Sequence, residues 1–119
     1  MLELFLILLF VIKHFIGDFV LQYPYMVEQK GTYGARGGID HSAIHAGLTA
    51  VMLFAIGVDL GVTVVIALLD GLLHYHIDWA KMNLGKGLTP ADKKFWFLIG
   101  ADQLAHYLTY IVLVGAIVI

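Results

Sequence analysis

One apolar run interrupted by ionisable side chains decides the fold: VVIALLDGLLHYHIDWA, residues 64–80. Its length approaches one membrane crossing, which takes roughly 20 residues of α-helix, yet it contains Asp70, His74, His76 and Asp78. Ionisable groups at membrane depth are costly unless they are paired or bind an ion, so they indicate a functional site. His74 and Asp78 are four residues apart, and on a helix they share one face, one turn apart.

The composition is typical of an integral membrane protein. Hydrophobic residues make up 61% of the 119 residues and charged residues only 13%, whereas about a quarter of a soluble domain is charged. The length fits one compact domain. The formal charge of −2 gives no reason to expect a nucleic-acid partner. The absence of cysteine excludes disulfides and thiolate metal ligands. Membrane lipid is the expected partner, and homo-oligomerisation stays open.

The sequence predicts an all-α membrane protein with four transmembrane helices, over residues 2–22, 41–57, 62–81 and 90–118. Residues 1–12 are apolar, with no Lys or Arg before Lys13 and no small-residue cleavage site after it, so we expect a retained helix. Short connections favour an antiparallel up-and-down bundle in a single domain, residues 1–119. Residues 26–40 contain four glycines and are predicted to form a flexible loop outside the membrane.

Cationic residues concentrate at one end of this predicted bundle. The two polar connections, residues 26–40 and 82–88, define what we call the loop side, and the opposite end is the termini side. The loop side collects six cations: Lys30, Arg36, Lys81, Lys86, Lys93 and Lys94. The positive-inside rule therefore predicts a multi-pass protein of the cytoplasmic (inner) membrane, with the loops in the cytoplasm and both termini outside.

Each predicted helix contains a pair of ionisable residues four positions apart. The pairs are His14/Asp18, His41/His45, His74/Asp78 and Asp102/His106. Each pair lies toward the loop-side end of its helix, so all four pairs are predicted to meet in the loop-side half of the bundle core. Helical bundles build metal sites from such pairs on facing helices. Imidazole and carboxylate suit zinc, with iron and manganese as alternatives. We therefore expect one or two divalent ions there, with all eight residues as candidate ligands.

Other ionisable residues are expected to have different roles. Asp70, one turn deeper than His74, is a candidate for orienting a ligand or carrying a proton. His76 and Lys13 lie off the polar stripes, so we expect interfacial packing for His76 and a side chain that reaches the membrane surface for Lys13. The alternative for any single His or Asp is a hydrogen bond between helices. For all eight together, burial without a cation would be costly.

Four motifs carry a family resemblance. They are KHFIGDFVLQ (residues 13–22), HSAIH (residues 41–45), HYHID (residues 74–78) and DQLAH (residues 102–106). Together they resemble a family of small membrane proteins of bacteria and phages, catalogued as a domain of unknown function, number 3307. The resemblance covers nearly the whole chain and implies a multi-pass membrane protein with signature His, Asp and Gln positions. It implies no activity. The similarity to membrane-bound metal-dependent hydrolases is an analogy only.

A metal-dependent hydrolase is the first functional hypothesis. Its ion would activate water near the cytoplasmic face, and its substrate would be a lipid or another amphiphile. The candidate general bases are Asp18, Asp70 and Asp102. Four cations are candidates for attracting an anionic headgroup: Lys30, Arg36, Lys81 and Lys86.

Two further hypotheses come from other classes of protein. One is transport of a metal ion or a proton through the bundle, since His and Asp chains also relay protons. The other is an interaction module in the membrane that a metal ion staples together. A closed coordination sphere would favour the staple, and an open coordination position beside a lipid-accessible cleft would favour hydrolysis.

Overall fold

A computed structural model describes all 119 residues of the chain, and it contains helices and turns but no strand. The five α-helices are α1 (Leu2–Phe15), α2 (Pro24–Gln29), α3 (Arg36–Ala55), α4 (Leu60–Leu84) and α5 (Lys93–Val118). A π-helical segment, Ile16–Val20, continues α1. The prediction of an all-helical fold is confirmed.

The four long helices, α1, α3, α4 and α5, form an antiparallel bundle. Helix α3 packs beside α4, α4 packs beside α5, and α1 contacts both α5 and α3. Side-chain contacts fix the direction: His41 near the start of α3 meets Asp78 near the end of α4, whereas Thr49, two turns further along α3, meets Asp70. Because α1 and α4 each pack beside both α3 and α5, they occupy diagonally opposite corners of the bundle.

The predicted flexible loop over residues 26–40 is wrong. Helix α2 occupies its first part, and α3 begins at Arg36 rather than at residue 41. Pro24 starts α2 at its first helical position, where the missing N–H needs no partner. What remains is a short turn over residues 30–35.

Two of the glycines in that region serve close packing. Gly37 and Gly38 are buried in the first turn of α3. A Cβ atom on Gly37 would lie 2.6 Å from the carbonyl oxygen of Tyr25, so only glycine lets α2 lie against α3 here. The glycine content that indicated flexibility instead reflects this tight contact.

The bundle has an unusual distribution of polarity. Of its 26 buried residues, 13 are polar or charged, whereas leucine, isoleucine, valine and phenylalanine side chains are exposed along α1, α4 and α5. Helices α4 and α5 are each long and apolar enough to cross a membrane.

The core of the termini-side half of the bundle is apolar. We call its buried cluster the apolar plug, and it consists of Leu6, Phe10, Leu53, Ile66, Tyr110, Leu113 and Val114.

Candidate metal centre

The structure brings all eight predicted ligands together in the loop-side half of the bundle. Seven of them are buried, and the side chain of Asp18 is 10% exposed. Each long helix contributes one pair. Both members of a pair face inward, because residues four positions apart lie on the same face of a helix. The cluster consists of His14 and Asp18 from α1 and its π-helical extension, His41 and His45 from α3, His74 and Asp78 from α4, and Asp102 and His106 from α5.

Four of these residues have the spacing of a tetrahedral ligand set. The Oδ1 atom of Asp18 lies 2.9 Å from the Nε2 atom of His45, 3.2 Å from that of His41 and 3.5 Å from that of His74. The Nε2 atoms of His41 and His74 are 3.1 Å apart. A tetrahedral zinc ion with bonds of 2.0–2.1 Å separates its ligand atoms by about 3.3 Å. Four of the six distances between these ligand atoms are thus close to those of a zinc tetrahedron, and all four atoms lie within 4.8 Å of one another.

Asp18 lies in the middle of the π-helical segment. The backbone N–H of Leu21 donates to the carbonyl oxygen of Ile16 at 2.9 Å, the wider hydrogen bond that defines this segment. Such segments inside α-helices are frequent at functional sites. The adjacent Gly17 is buried against His45, and a Cβ atom at this position would lie 2.5 Å from the Nε2 atom of that ring. Glycine is therefore required for His45 to reach Asp18.

Lysine side chains neutralise three of the four carboxylates buried in the bundle. Lys13 pairs with Asp70, which also accepts a hydrogen bond from Thr49 at 2.6 Å. Two other pairs have the same form: Lys30 Nζ lies 3.2 Å from Asp78, and Lys81 Nζ lies 3.3 Å from Asp102. Asp18 alone contacts no lysine. Its charge faces only histidines, at the position where the four ligand atoms converge.

His14 has a complete set of hydrogen bonds without a metal ion. Its Nε2 atom lies 3.1 Å from two acceptors, Asp18 Oδ2 and Gln103 Oε1, so this nitrogen carries the proton and donates. The hydroxyl of Tyr110 lies 2.6 Å from Nδ1 and donates to it. His14 therefore orients the Asp18 carboxylate through the oxygen that the tetrahedral set does not use.

The three histidines of the tetrahedral set have a different hydrogen-bonding pattern. Their Nδ1 atoms are buried without a partner, and their Nε2 atoms all face the same point. Without a cation, the close contact between the Nε2 atoms of His41 and His74 requires a proton on one of them and none on the other. The rings of His45 and His74 are stacked, with centroids 3.5 Å apart, so a bound cation would accept lone pairs from all three rings, with the protons on Nδ1, only after these two rings rotate toward it. The donor set of one carboxylate and three imidazoles suits zinc.

The four cations predicted to meet a substrate headgroup lie in two different environments. Lys30 is only 6% exposed, and its ammonium donates to Gln22 at 3.0 Å as well as to Asp78, so its predicted surface role is wrong. The side chain of Lys81 also turns inward, toward Asp102. Arg36 and Lys86 are exposed as expected.

Arg36 belongs to a small polar network outside the bundle. It donates to Asp40 at 3.2 Å, and the hydroxyl of Tyr25 donates to the same carboxylate at 2.9 Å. This hydrogen bond raises the pKa of Tyr25, because the neighbouring carboxylate disfavours the phenolate.

The structure also decides the residues that lay off the predicted stripes. The prediction that Lys13 reaches the membrane surface is wrong, since Lys13 is 4% exposed and pairs with Asp70. Asp70 therefore pairs with this lysine and with Thr49, and it belongs to none of the groups of ligand atoms. His76 is exposed and contacts the hydroxyl of Tyr33 at 3.0 Å, which agrees with the expected surface role.

Two glutamines also contribute to the cluster. Gln103 donates to Asp102 Oδ2 at 3.0 Å while its carbonyl oxygen faces His14, so it joins two ligand pairs. Gln22 donates to the backbone oxygen of Asp18 at 2.8 Å and accepts from Lys30.

The sequence did contain a signal for the burial of Lys13. Leu6, Phe10 and Lys13 recur at intervals of four and three residues, which places all three on the inward face of α1.

The fold and the site define an all-helical protein whose bundle encloses a cluster of histidines and aspartates. The sequence model of the family described as "Protein of unknown function (DUF3307)" matches residues 5–119, and the chain belongs to this family. The family resemblance drawn from the four motifs is thus confirmed. No curated protein and no solved structure matches the chain.

Proposed function

We propose that this chain is an integral membrane protein that binds one divalent transition-metal ion, with zinc as the preferred ion. The ligands are Asp18 from the π-helical segment, His41 and His45 from α3, and His74 from α4. The observation that carries this proposal is that four of the six distances between their ligand atoms are close to the edges of a zinc tetrahedron. The ion would hold three helices of the bundle together.

The lysine pairs favour one ion rather than two. A second divalent ion beside Asp78 or Asp102 would lie next to the ammonium of Lys30 or Lys81, which already neutralises the carboxylate. Asp18 has no such competitor. Because a largely buried carboxylate without a cation is expensive to desolvate, a single divalent ion at Asp18 would neutralise it and leave one net positive charge on the site.

The membrane location is supported by the surface of the bundle. Exposed apolar side chains cover α1, α4 and α5, and a contiguous surface of this kind marks contact with another apolar phase. Four cations are exposed on the loop side, namely Arg36, Lys86, Lys93 and Lys94. By the positive-inside rule we propose that all four long helices span the cytoplasmic membrane, with the loop side in the cytoplasm and the termini side outside.

Single cysteines test this topology, because the chain has no cysteine of its own. We expect a Lys86→Cys variant to react with a membrane-impermeant thiol reagent only after the cells are lysed. A Glu3→Cys variant, on the termini side, is expected to react in intact cells. Both positions are exposed, so neither substitution disturbs packing. The reverse pattern would contradict the orientation, and equal labelling of both positions in intact cells would contradict the spanning arrangement.

The site best supports a structural role, in which the metal ion stabilises the packing of the helices. Four protein ligands complete a tetrahedral coordination sphere, as in structural zinc sites. Transport through a single bundle has less support, since the apolar plug closes the termini-side half of the core. The role as an interaction module would then depend on the surfaces that the ion holds in place.

Hydrolysis is a second candidate, and one observation favours it. Asp18 is the most exposed of the four ligands and lies in the π-helical segment, so it is the ligand that water can replace most readily. Its release would open a coordination position for water, with Asp18 as the general base. The substrate would be a lipid or another amphiphile near the cytoplasmic face.

Metal analysis of the protein purified in detergent tests the proposal. We expect about one zinc ion per chain, in line with a single complete tetrahedral site. Removal of the ion with a chelator is expected to lower the free energy of unfolding by about 4 kcal/mol when the free metal had been near 1,000 times its dissociation constant. Zinc, added back, should restore the unfolding temperature. A protein that contains no ion and whose unfolding does not respond to zinc would contradict the proposal.

A further inference from the structure

A second group of ligand atoms lies on the other side of Asp78. The Nε2 atom of His106 is 3.3 Å from Asp78 Oδ1 and 3.5 Å from Asp102 Oδ1. Asp102 is only 5% exposed, and its Oδ1 atom has no hydrogen-bond partner. The ligand atoms of these three residues all lie within 4.8 Å of one another. Two carboxylates and one imidazole form a donor set for a divalent cation.

One member of this second group, Asp102, lines a groove. The groove runs between α4 and α5, has a volume of about 220 Å³, and is lined by Lys81 and Asp102 together with apolar side chains. Lys81 separates the group from the outside: its side chain is 22% exposed, and its ammonium lies 3.3 Å from Asp102 and 3.9 Å from Asp78. A positive charge therefore already occupies the space between the two carboxylates.

Asp78 connects the second group with the tetrahedral set. Its Oδ1 atom faces His106, while its Oδ2 atom lies 3.2 Å from the Nε2 atom of His41 and 3.4 Å from that of His74. His41 and His74 are proposed ligands of the tetrahedral site. The two oxygens of one carboxylate thus contact both positions.

We infer that Asp78, Asp102 and His106 form an access site, at which a divalent cation that enters by the groove binds before it moves to the tetrahedral set, and that Lys81 occupies this access site when the cation is absent. This inference rests on the proposed metal binding. A divalent cation interacts with the two carboxylates about twice as strongly as an ammonium at the same distance. Lys81, on a flexible and partly exposed side chain, can swing into the groove, whereas Lys30 is buried and held by Gln22.

The rate of metal uptake tests the access site separately from equilibrium binding. The full chain in detergent, freed of metal by a chelator, is mixed with Co²⁺, and the visible absorption of tetrahedral Co²⁺ is followed in time. We expect Asp102→Asn to slow uptake by roughly 10-fold or more, the size of effect that groups next to a metal produce, and to leave the final absorption unchanged. Lys81→Met is expected to speed uptake, because the competing ammonium is gone. Glu28→Gln and Lys94→Met remove one negative and one positive charge at exposed positions away from the cluster, and both variants should load at the wild-type rate.

Each outcome separates the access site from the tetrahedral site. Wild-type uptake rates in Asp102→Asn or in Lys81→Met would overturn the inference while leaving the tetrahedral site intact. Loss of the final absorption in Asp102→Asn would also overturn it, because Asp102 would then be a ligand at equilibrium. If the wild-type protein does not develop the tetrahedral spectrum, the proposed function itself fails. Circular dichroism of each variant checks that the helices are retained.

Discussion

Glutamine in place of His45 is expected to weaken zinc binding by on the order of 10²- to 10³-fold, because a structural zinc site contributes about 10–16 kcal/mol over four ligands. His45 is fully buried and makes the shortest contact to Asp18, so no other side chain can take its place. The measurement is a competition titration of the purified protein against a chelator of known zinc affinity. At a free zinc concentration near 1,000 times the wild-type dissociation constant, the variant should lose most of the zinc-dependent rise in melting temperature that the wild type shows.

His76→Gln is the matched control for this variant. His76 is one of the six histidines of the chain, but it is exposed, and its hydrogen bonds go to Tyr33 and the backbone oxygen of Leu72, away from the cluster. The same chemical change at this position should leave zinc affinity unchanged. Equal affinities for wild type and His45→Gln would show that the tetrahedral set is not the metal site. An equal loss in both variants would point to a surface site instead.

Methionine in place of Lys13 is expected to lower the free energy of unfolding by about 3–5 kcal/mol, because it leaves a buried carboxylate without its counter-charge. Lys13 and Asp70 come from the two diagonally opposite helices, α1 and α4, and both are nearly inaccessible. Thr49 is the remaining donor to Asp70. Unfolding in mixed micelles with increasing denaturing detergent measures the change.

A second substitution separates the ion pair from general packing. The double variant Lys13→Met/Asp70→Asn removes both charges, and we expect it to recover most of the lost stability, since replacing a buried pair by neutral groups is often nearly neutral. Lys94→Met, at an exposed position, should unfold like the wild type. A double variant that is as unstable as the sum of the two single variants would show that the two side chains act independently.

The family motifs and the helical spacing of ionisable residues were enough to predict the composition of the site. Pairs four residues apart face one way on a helix, and short connections make neighbouring helices antiparallel. Hence the meeting of His14/Asp18 with His74/Asp78, from helices far apart in the chain, followed from sequence. The helical class followed from the length of the apolar runs. These are local properties, and they depend on few neighbours.

The partners of the lysines could not be predicted in this way. Lys13 and Lys30 were expected at the surface, because an isolated lysine in an apolar protein usually reaches toward water. Their burial depends on Asp70 and Asp78, which are 57 and 48 residues away along the chain. These pairs form only because the helices pack with both residues at the same depth. The sequence analysis therefore offered Asp18, Asp78 and Asp102 alike as candidate metal ligands.

The sequence by itself determined the helical class, the inward-facing pairs of histidine and aspartate, and the family, but not α2 or the start of α3. Only the tertiary structure decided that Asp18 is the one carboxylate of the cluster without a lysine, and that three imidazole nitrogens lie near it. The run at residues 64–80 illustrates the difference: its spacing placed His74 and Asp78 on one face, but their neighbours assigned them separate roles. His74 belongs to the proposed tetrahedral set, whereas Asp78 is neutralised by Lys30 and contacts His74 from outside that set. The sequence could not separate these roles, because charge compensation depends on contacts between helices.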